Sequence, residues 1–298
     1  DSGAVYVYKR TGTSWAQEAY IKSSNNDNGA NGYSDSFGFR IALDNETLAV
    51  GAYGEDSNQT TITNGTSASS DNSEQDSGAV YVYKRTGSSW AQEAYLKTSN
   101  SDDHDLVGYR VALDGDTLAV TARSDDSNQT TITNGTSSST NNSNTYAGAV
   151  FVYKRTGSSW AQEAYIKASN NDASDYFGQY VELDKDTLAV GSTGEDSNQT
   201  TITNDNSTAS SNNDSSSSGA VYVYKRTGTT WAQEAYIKAS NNGEGDSFGS
   251  TIALVDNETL AVGASGEDSD QSTITNGIST SSNNNSSNSG AVYVYSFK

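Results

Sequence analysis

The feature that most restricts this chain is that it repeats. Gly-Ala-Val begins at Gly3, Gly78, Gly148, Gly219 and Gly290, at intervals of 75, 70, 71 and 71 residues. Trp-Ala-Gln-Glu-Ala recurs from Trp15, Trp90, Trp160 and Trp231, and the stretch 37–50 recurs at 107–120, 177–190 and 248–262. Self-similarity at a fixed period means that one supersecondary unit is copied, and that each copy buries its apolar faces against its neighbours.

Each copy offers four strands. In 37–50, Ile41 and Leu43 alternate with Arg40 and Ala42, the two-residue period of a strand. Asp44-Asn45-Glu46 supplies a tight turn, because Asp and Asn tolerate positive φ, and Leu48–Val50 starts the return strand. In 3–10, Val5 and Val7 alternate with Ala4, Tyr6 and Tyr8; both faces are apolar, which predicts cover on both sides. Trp15–Lys22 carries Glu18 and Lys22 on one face, which suits a sheet edge. No apolar stripe of 3.6-residue period is long enough for a helix of standard length.

A repeat of this length has two solutions. Solenoid coils run to about 20–30 residues, too short for this period. A propeller blade fits, with three strands sandwiched between blades and an amphipathic outermost one. The pattern therefore predicts an all-β chain, a β-propeller of four four-stranded antiparallel blades of about 70 residues each. It forms one domain over 1–298, with repeats near 3–77, 78–147, 148–218 and 219–289 and an extra strand at 290–298.

Phe37-Gly38, then Leu48–Ala52, then Gly78–Tyr83 resembles the FG-GAP repeat, the blade of the integrin α-subunit propeller and of many bacterial surface proteins. The resemblance covers nearly the whole chain, four times. It implies a propeller, an extracellular setting and a role in adhesion. Phe177-Gly178 and Phe248-Gly249 keep the FG, and Val107-Gly108 replaces it. Tyr53, Arg123, Thr193 and Ser265 stand where the family's name has Pro. The family's calcium loop, Asp-x-Asp-x-Asp-Gly inside the first hairpin, is absent. Asp44-Asn45-Glu46, Asp114-Gly115-Asp116, Asp184-Lys185-Asp186 and Asp256-Asn257-Glu258 cannot give the six to eight oxygens calcium requires, and read as solvated turns.

Other acids recur once per blade: Glu55-Asp56, Asp125-Asp126, Glu195-Asp196 and Glu267-Asp268. A second set precedes each FG: Asp27 and Asp35; Asp102, Asp103 and Asp105; Asp172 and Asp175; Glu244 and Asp246. Two readings stand for the first set. It caps a turn by accepting backbone N–H bonds, or it supplies hard oxygen ligands for Ca2+. The chain has no Cys, and its one His, His104, excludes a Ser-His-Asp centre repeated in every unit.

Net charge is −20, so the surface repels nucleic acid and anionic membrane and attracts cations. No run is long enough to span a membrane as a helix. No signal peptide is visible, so an export signal, if there is one, lies outside these residues. The long polar loops 57–77, 127–147, 197–218 and 269–289 share a Ser-Asn-Gln-Thr-Thr-Ile-Thr-Asn pattern or a close variant. Ile62, Ile132, Ile202 and Ile274 are expected to tuck into the blade. The loop tails, such as Ser207–Ser218, read as low-complexity and mobile. Asn58, Asn64, Asn128, Asn134 and Asn198 begin glycosylation sequons, which chance alone would produce in so Asn- and Thr-rich a chain.

Gly-Ala-Val-Tyr strands occur five times and the other strands four. Trp15–Lys22 can close the ring by completing the last blade, which leaves one terminal GAVYVY strand surplus. Such a strand can pair with another molecule, as in donor-strand polymers. The expected role is a secreted or cell-surface structural or adhesive protein, self-associating head-to-tail into fibres. The alternative is a calcium-stabilised module that binds a glycan or protein through one loop rim. A hydrolase ranks last, because no asymmetric residue set distinguishes one blade from the others.

Overall fold

The computed structural model describes residues 2–25, 34–205, 209–278 and 280–296. Asp27 and residues 207–208 of the loop-tail expectation lie outside these. Among the described residues the regular elements are all strands.

The first sheet contains β3 (Arg40–Asp44), β4 (Thr47–Ala52), β5 (Thr63–Asn64), β6 (Ala79–Thr86) and β7 (Ser89–Leu96), in the order β3-β4-β6-β7-β5. Every pairing in it is antiparallel. The second repeats that order with β8 (Val107–Asp114), β9 (Thr117–Ala122), β10 (Thr133–Asn134), β11 (Ala149–Thr156) and β12 (Ser159–Ile166). The third does so with β13 (Phe177–Asp184), β14 (Thr187–Ser192), β15 (Thr203–Asn204), β16 (Ala220–Thr227) and β17 (Thr230–Ile237). The fourth has three strands, β18 (Phe248–Val255), β19 (Thr259–Ala264) and β20 (Ala291–Ser296). β1 (Val5–Thr11) and β2 (Ser14–Ile21) pair only with each other, as a half-sheet ahead of the first.

This is the four-repeat, all-antiparallel architecture of a β-propeller, with one addition and one departure. The addition is the two-residue strand that each of the first three long loops lays beside its sheet, at β5, β10 and β15. The Gln side chain of the loop motif shapes it: Gln59 Nε2 donates to Thr61 O at 2.7 Å and Thr63 Oγ1 at 2.9 Å. The departure concerns ring closure. The Trp15–Lys22 strand was expected beside the last blade, yet β2 pairs with β1, whose sequence and register match those of β6 on β7. β2 gives β1 the edge that every other outer strand gives its own partner, so within the molecule that edge is closed to β20. The isoleucine expectation divides similarly. Ile62 and Ile132 pack against neighbouring cores, whereas Ile202 and Ile274 are exposed.

Both-face burial follows the sequence. β4, β9 and β14 are buried throughout, as are the first five residues of β6, β11 and β16. In β2, β7 and β12 the glutamate of the outer strand does not face solvent as the pattern implied. Glu93 accepts from Arg155 Nη1 at 3.1 Å and from Trp160 Nε1 at 3.0 Å, both in the next sheet. Glu18 holds Arg85 and Trp90 in the same way, and Glu163 holds Arg226 and Trp231. Arg85 keeps the Glu18 carboxyl down at about 2. Nor are the hairpin acids merely solvated. Asp44 Oδ2 accepts Gly115 N–H at 2.8 Å, Asp184 Oδ2 accepts Asn257 N–H at 2.8 Å, and Asp114 meets Lys185 N–H likewise. Each turn therefore caps the turn of the following sheet.

Two glycines set the spacing between sheets. Gly148 has φ +82°, and a Cβ there would sit 2.1 Å from Phe177 O. Gly178 has φ +91°, and its Cβ would sit 3.1 Å from Ala149 O. Phe177 N–H donates to Ala147 O at 2.9 Å across the same junction. The Gly of GAV and the Gly of FG thus interlock two neighbouring backbones. Gly148→Ala is expected to cost about 3 kcal/mol or more in urea unfolding, since left-handed strain adds to an immovable backbone clash. Gly157→Ala, at φ +66° with nothing within 4 Å, should cost only about 1 kcal/mol.

Candidate functional site

The acids singled out in the sequence fall into two structural roles. Glu55, Asp125 and Glu195 are buried, and each meets the lysine that ends the outer strand: Lys97 at 3.0 Å, Lys167 at 2.9 Å and Lys238 at 2.6 Å. Lys97 also donates to Ser77 Oγ and Gly78 O, both at 2.8 Å. An Asn from the preceding unit completes each carboxylate: Asn25, Asn100 and Asn170 at 2.8 Å, and Asn241 on Glu267 at 2.7 Å. Burial pulls the three lysine amines below their usual range. The neighbouring Asp56, Asp126, Asp196 and Asp268 accept the backbone N–H of residues 76, 146, 217 and 288 at 2.6–2.8 Å, which closes the long loop.

These contacts bear on calcium. A divalent ion at Glu55, Asp125 or Glu195 would face an ammonium already seated there, so the donor set does not fit the ion. Glu267 and Asp268 lack a lysine, but among the described residues no three acidic, His or Cys side chains converge as metal ligands. Asp35, Asp105, Asp175 and Asp246 are buried, while Asp102, Asp103, Asp172 and Glu244 are exposed. Asp105, Asp175 and Asp246 each accept a backbone N–H three residues back, at 3.0, 2.9 and 2.7 Å. Burial raises the Asp175 carboxyl to about 8.

A different group of side chains breaks the repeat. The residues after each FG are Phe39-Arg40, Tyr109-Arg110, Gln179-Tyr180 and Ser250-Thr251. Those after each second strand are Tyr53, Arg123, Thr193 and Ser265. Across the first three sheets these positions converge. Phe39 meets Tyr53 at 4.6 Å and Tyr109 at 5.5 Å between ring centroids. Arg110 lies over Tyr109 at 5.4 Å and Tyr180 at 4.9 Å; Arg123 lies over Tyr109 at 5.1 Å and Tyr176 at 4.3 Å. Tyr146 stacks on Tyr176 at 6.0 Å. Gln179 anchors both arginines through Nε, its backbone O taking Arg110 at 3.2 Å and its Oε1 taking Arg123 at 2.5 Å.

An open cavity of about 470 Å3 beside Arg123 is lined by His104, Leu106, Ser124, Tyr146 and Tyr176. His104 Nδ1 lies 3.4 Å from Asp76. Leu106, Tyr146 and Tyr176 have φ of 57°, 59° and 53°. Other units place Ser, Asp or Asn in those left-handed positions, where a bulky side chain is strained. The fourth sheet offers only Ser247, Ser250, Thr251, Ser265 and Asn288 at these places, so the site is asymmetric.

An FG-GAP repeat model matches residues 15–83, 90–153, 160–224 and 231–295. The chain is an FG-GAP repeat protein. No curated protein matches it. The family repeat begins at the Trp strand, so each match spans two sheets: its first strand is the outer strand of one, and the strands after it belong to the next. FG-GAP repeats are typically extracellular ligand-binding propeller modules. The signal that finds the aromatic–arginine site is a column-by-column comparison of the four copies. They agree at core and junction positions and diverge at this rim.

The Asp175 environment predicts a pH effect. A carboxyl raised from 3.8 to about 8 holds its proton in the fold and loses it in the unfolded chain. Its stabilising contribution is complete below about pH 4 and declines as pH rises toward 8. Lys238, Glu195, Asp196 and Asp172 surround it. Asp175→Asn, neutral at every pH, should melt higher than the parent at pH 8 and match it near pH 4, by calorimetry at both pH values.

Proposed function

We propose that this FG-GAP chain is a secreted or cell-surface adhesive module, non-catalytic, that recognises its ligand through the aromatic–arginine rim of the first three sheets. One observation carries the reading. The chain has seven arginines, and four of them, Arg10, Arg85, Arg155 and Arg226, occupy one repeat column. Arg85, Arg155 and Arg226 pair with carboxylates. The three outside that column, Arg40, Arg110 and Arg123, all lie over aromatic rings at this rim, and among the described residues none forms an ion pair. In a chain of net charge −20, unpaired arginines gathered at one place are a feature the fold does not need. Labelled protein should be retained on immobilised polysaccharide or protein films, and the triple change R40Q/R110Q/R123Q should reduce retention at least tenfold. Equal retention of parent and variant would reject the rim as the binding surface.

A second reading, self-association, rests on the last two sheets. Glu234 and Ile202 are exposed where Glu93, Glu163, Ile62 and Ile132 each engage a neighbouring unit. Val292 and Val294 of β20 are 72% and 69% exposed, although their equivalents Val80 and Val82 are fully buried. These groups form a socket for a Trp-Ala-Gln-Glu-Ala strand, and Trp15 is 68% exposed where Trp160 is 2%. A following unit of a longer array, or β2 of another copy, would fill it. Light scattering should show mass rising with concentration for the full chain and constant mass once residues 1–22, which include β2, are deleted; identical behaviour would exclude strand pairing between molecules.

A further inference from the structure

We infer that the rim takes a sparsely charged acidic saccharide, with a sugar carboxylate held between Arg110 and Arg123 and sugar rings lying on Tyr176 and Tyr146. The inference rests on the recognition reading above and names its ligand.

The anion half of the argument is geometric. Arg110 and Arg123 both lie within 5.4 Å of the Tyr109 ring. Each bonds Gln179 through Nε alone, one to its backbone oxygen and one to its side chain. Among the described residues their Nη groups make no further hydrogen bond or ion pair, and the contacts with the rings and with Gln179 hold both guanidinium groups in place before a ligand arrives. A planar guanidinium so held matches a carboxylate through two parallel hydrogen bonds. Arg123 lines the adjoining cavity, and the acid that meets a lining side chain, Asp76, faces His104 Nδ1 at 3.4 Å.

The saccharide half comes from the walls. Tyr146 is 45% exposed and stacked on Tyr176, which offers a flat aromatic face beside hydroxyl and imidazole groups from Ser124 and His104. A sugar ring is apolar on its C–H faces and polar at its edge, and such a wall suits both. A peptide would ask for apolar side-chain sockets, and Leu106 is the one aliphatic residue lining the cavity. Nucleic acid also stacks on aromatics, but its continuous charge is repelled by a protein of net charge −20. The same repulsion favours a saccharide with isolated carboxylates over a dense polyanion.

Calorimetric titration of the whole chain tests this with sialyllactose, trigalacturonate, lactose and a Glu-rich tetrapeptide. At least one acidic saccharide should bind ten times or more tighter than lactose. R110Q/R123Q should abolish that preference, and Tyr146→Ala should weaken both acidic and neutral sugars; the parent's circular dichroism and melting temperature certify the fold of each variant. If neither acidic saccharide exceeds lactose, the inference fails. If the peptide alone binds, and does so through the arginines, the saccharide assignment fails while the recognition reading survives. Binding of an acidic saccharide that R110Q/R123Q leaves unchanged puts the carboxylate elsewhere and overturns the proposal.

Discussion

Everything in this fold depends on how closely one sheet's backbone can approach the next. At the Gly148–Phe177 junction there is no room for a methyl group, and the same contact recurs from Gly78 to Val107 and from Gly219 to Phe248. That approach brings the two-faced apolar strands within packing distance of both neighbours. It also sets the reach of the Glu–Arg–Trp ties and of the turn-to-turn caps. Side chains vary around the junction, as Val107 for Phe shows, but the glycine pair does not.

Behind each junction lies a buried ion pair, an uncommon way to finish a sheet. A lysine and an acid out of water return little net stability, because desolvation offsets their attraction, yet removing either partner would strand a buried charge. The value of the pair is specificity. Lys97 bonds a glycine carbonyl, a serine hydroxyl and a glutamate at once, so the end of the outer strand has one register in which every donor is satisfied. In a chain whose four units are nearly identical, that discriminates against slipped pairings.

Strand types, their order and the two-sided burial were legible because a period of two and apolar faces report directly on sheets. The fates of Glu93 and Lys97 were not. Pattern reading assigns charged residues at an outer strand to solvent, whereas Glu93 is engaged by the next sheet and Lys97 by Glu55, Ser77 and Gly78 of its own. A trace of the Lys pairing did exist: the acid and its lysine are 42, 42 and 43 residues apart in successive units. Ring closure was misjudged because β1 and β20 are the same sequence, and local pairing with β2 won. The rim is invisible in what the copies share, because they differ at Phe39, Tyr109, Tyr53 and Arg123.

Two sets of inter-unit ties also share a direction. Glu18, Glu93 and Glu163 accept from the arginine and tryptophan of the unit that follows, and Asp44, Asp114 and Asp184 accept from the turn that follows. In these two sets the acceptor precedes the donor along the chain, whereas Asn25, Asn100 and Asn170, and Arg110 and Arg123, donate forward to the unit that follows. A ribosome releases the N-terminal residues first, so each unit emerging from it meets a surface whose receiving groups are already in place. Within a sheet the strands are sequence neighbours joined by short turns or a single loop, which keeps closure distances modest. Synthesis can thus proceed as templated growth, with the β1–β2 hairpin as the first template and no unit required to wait for a later one.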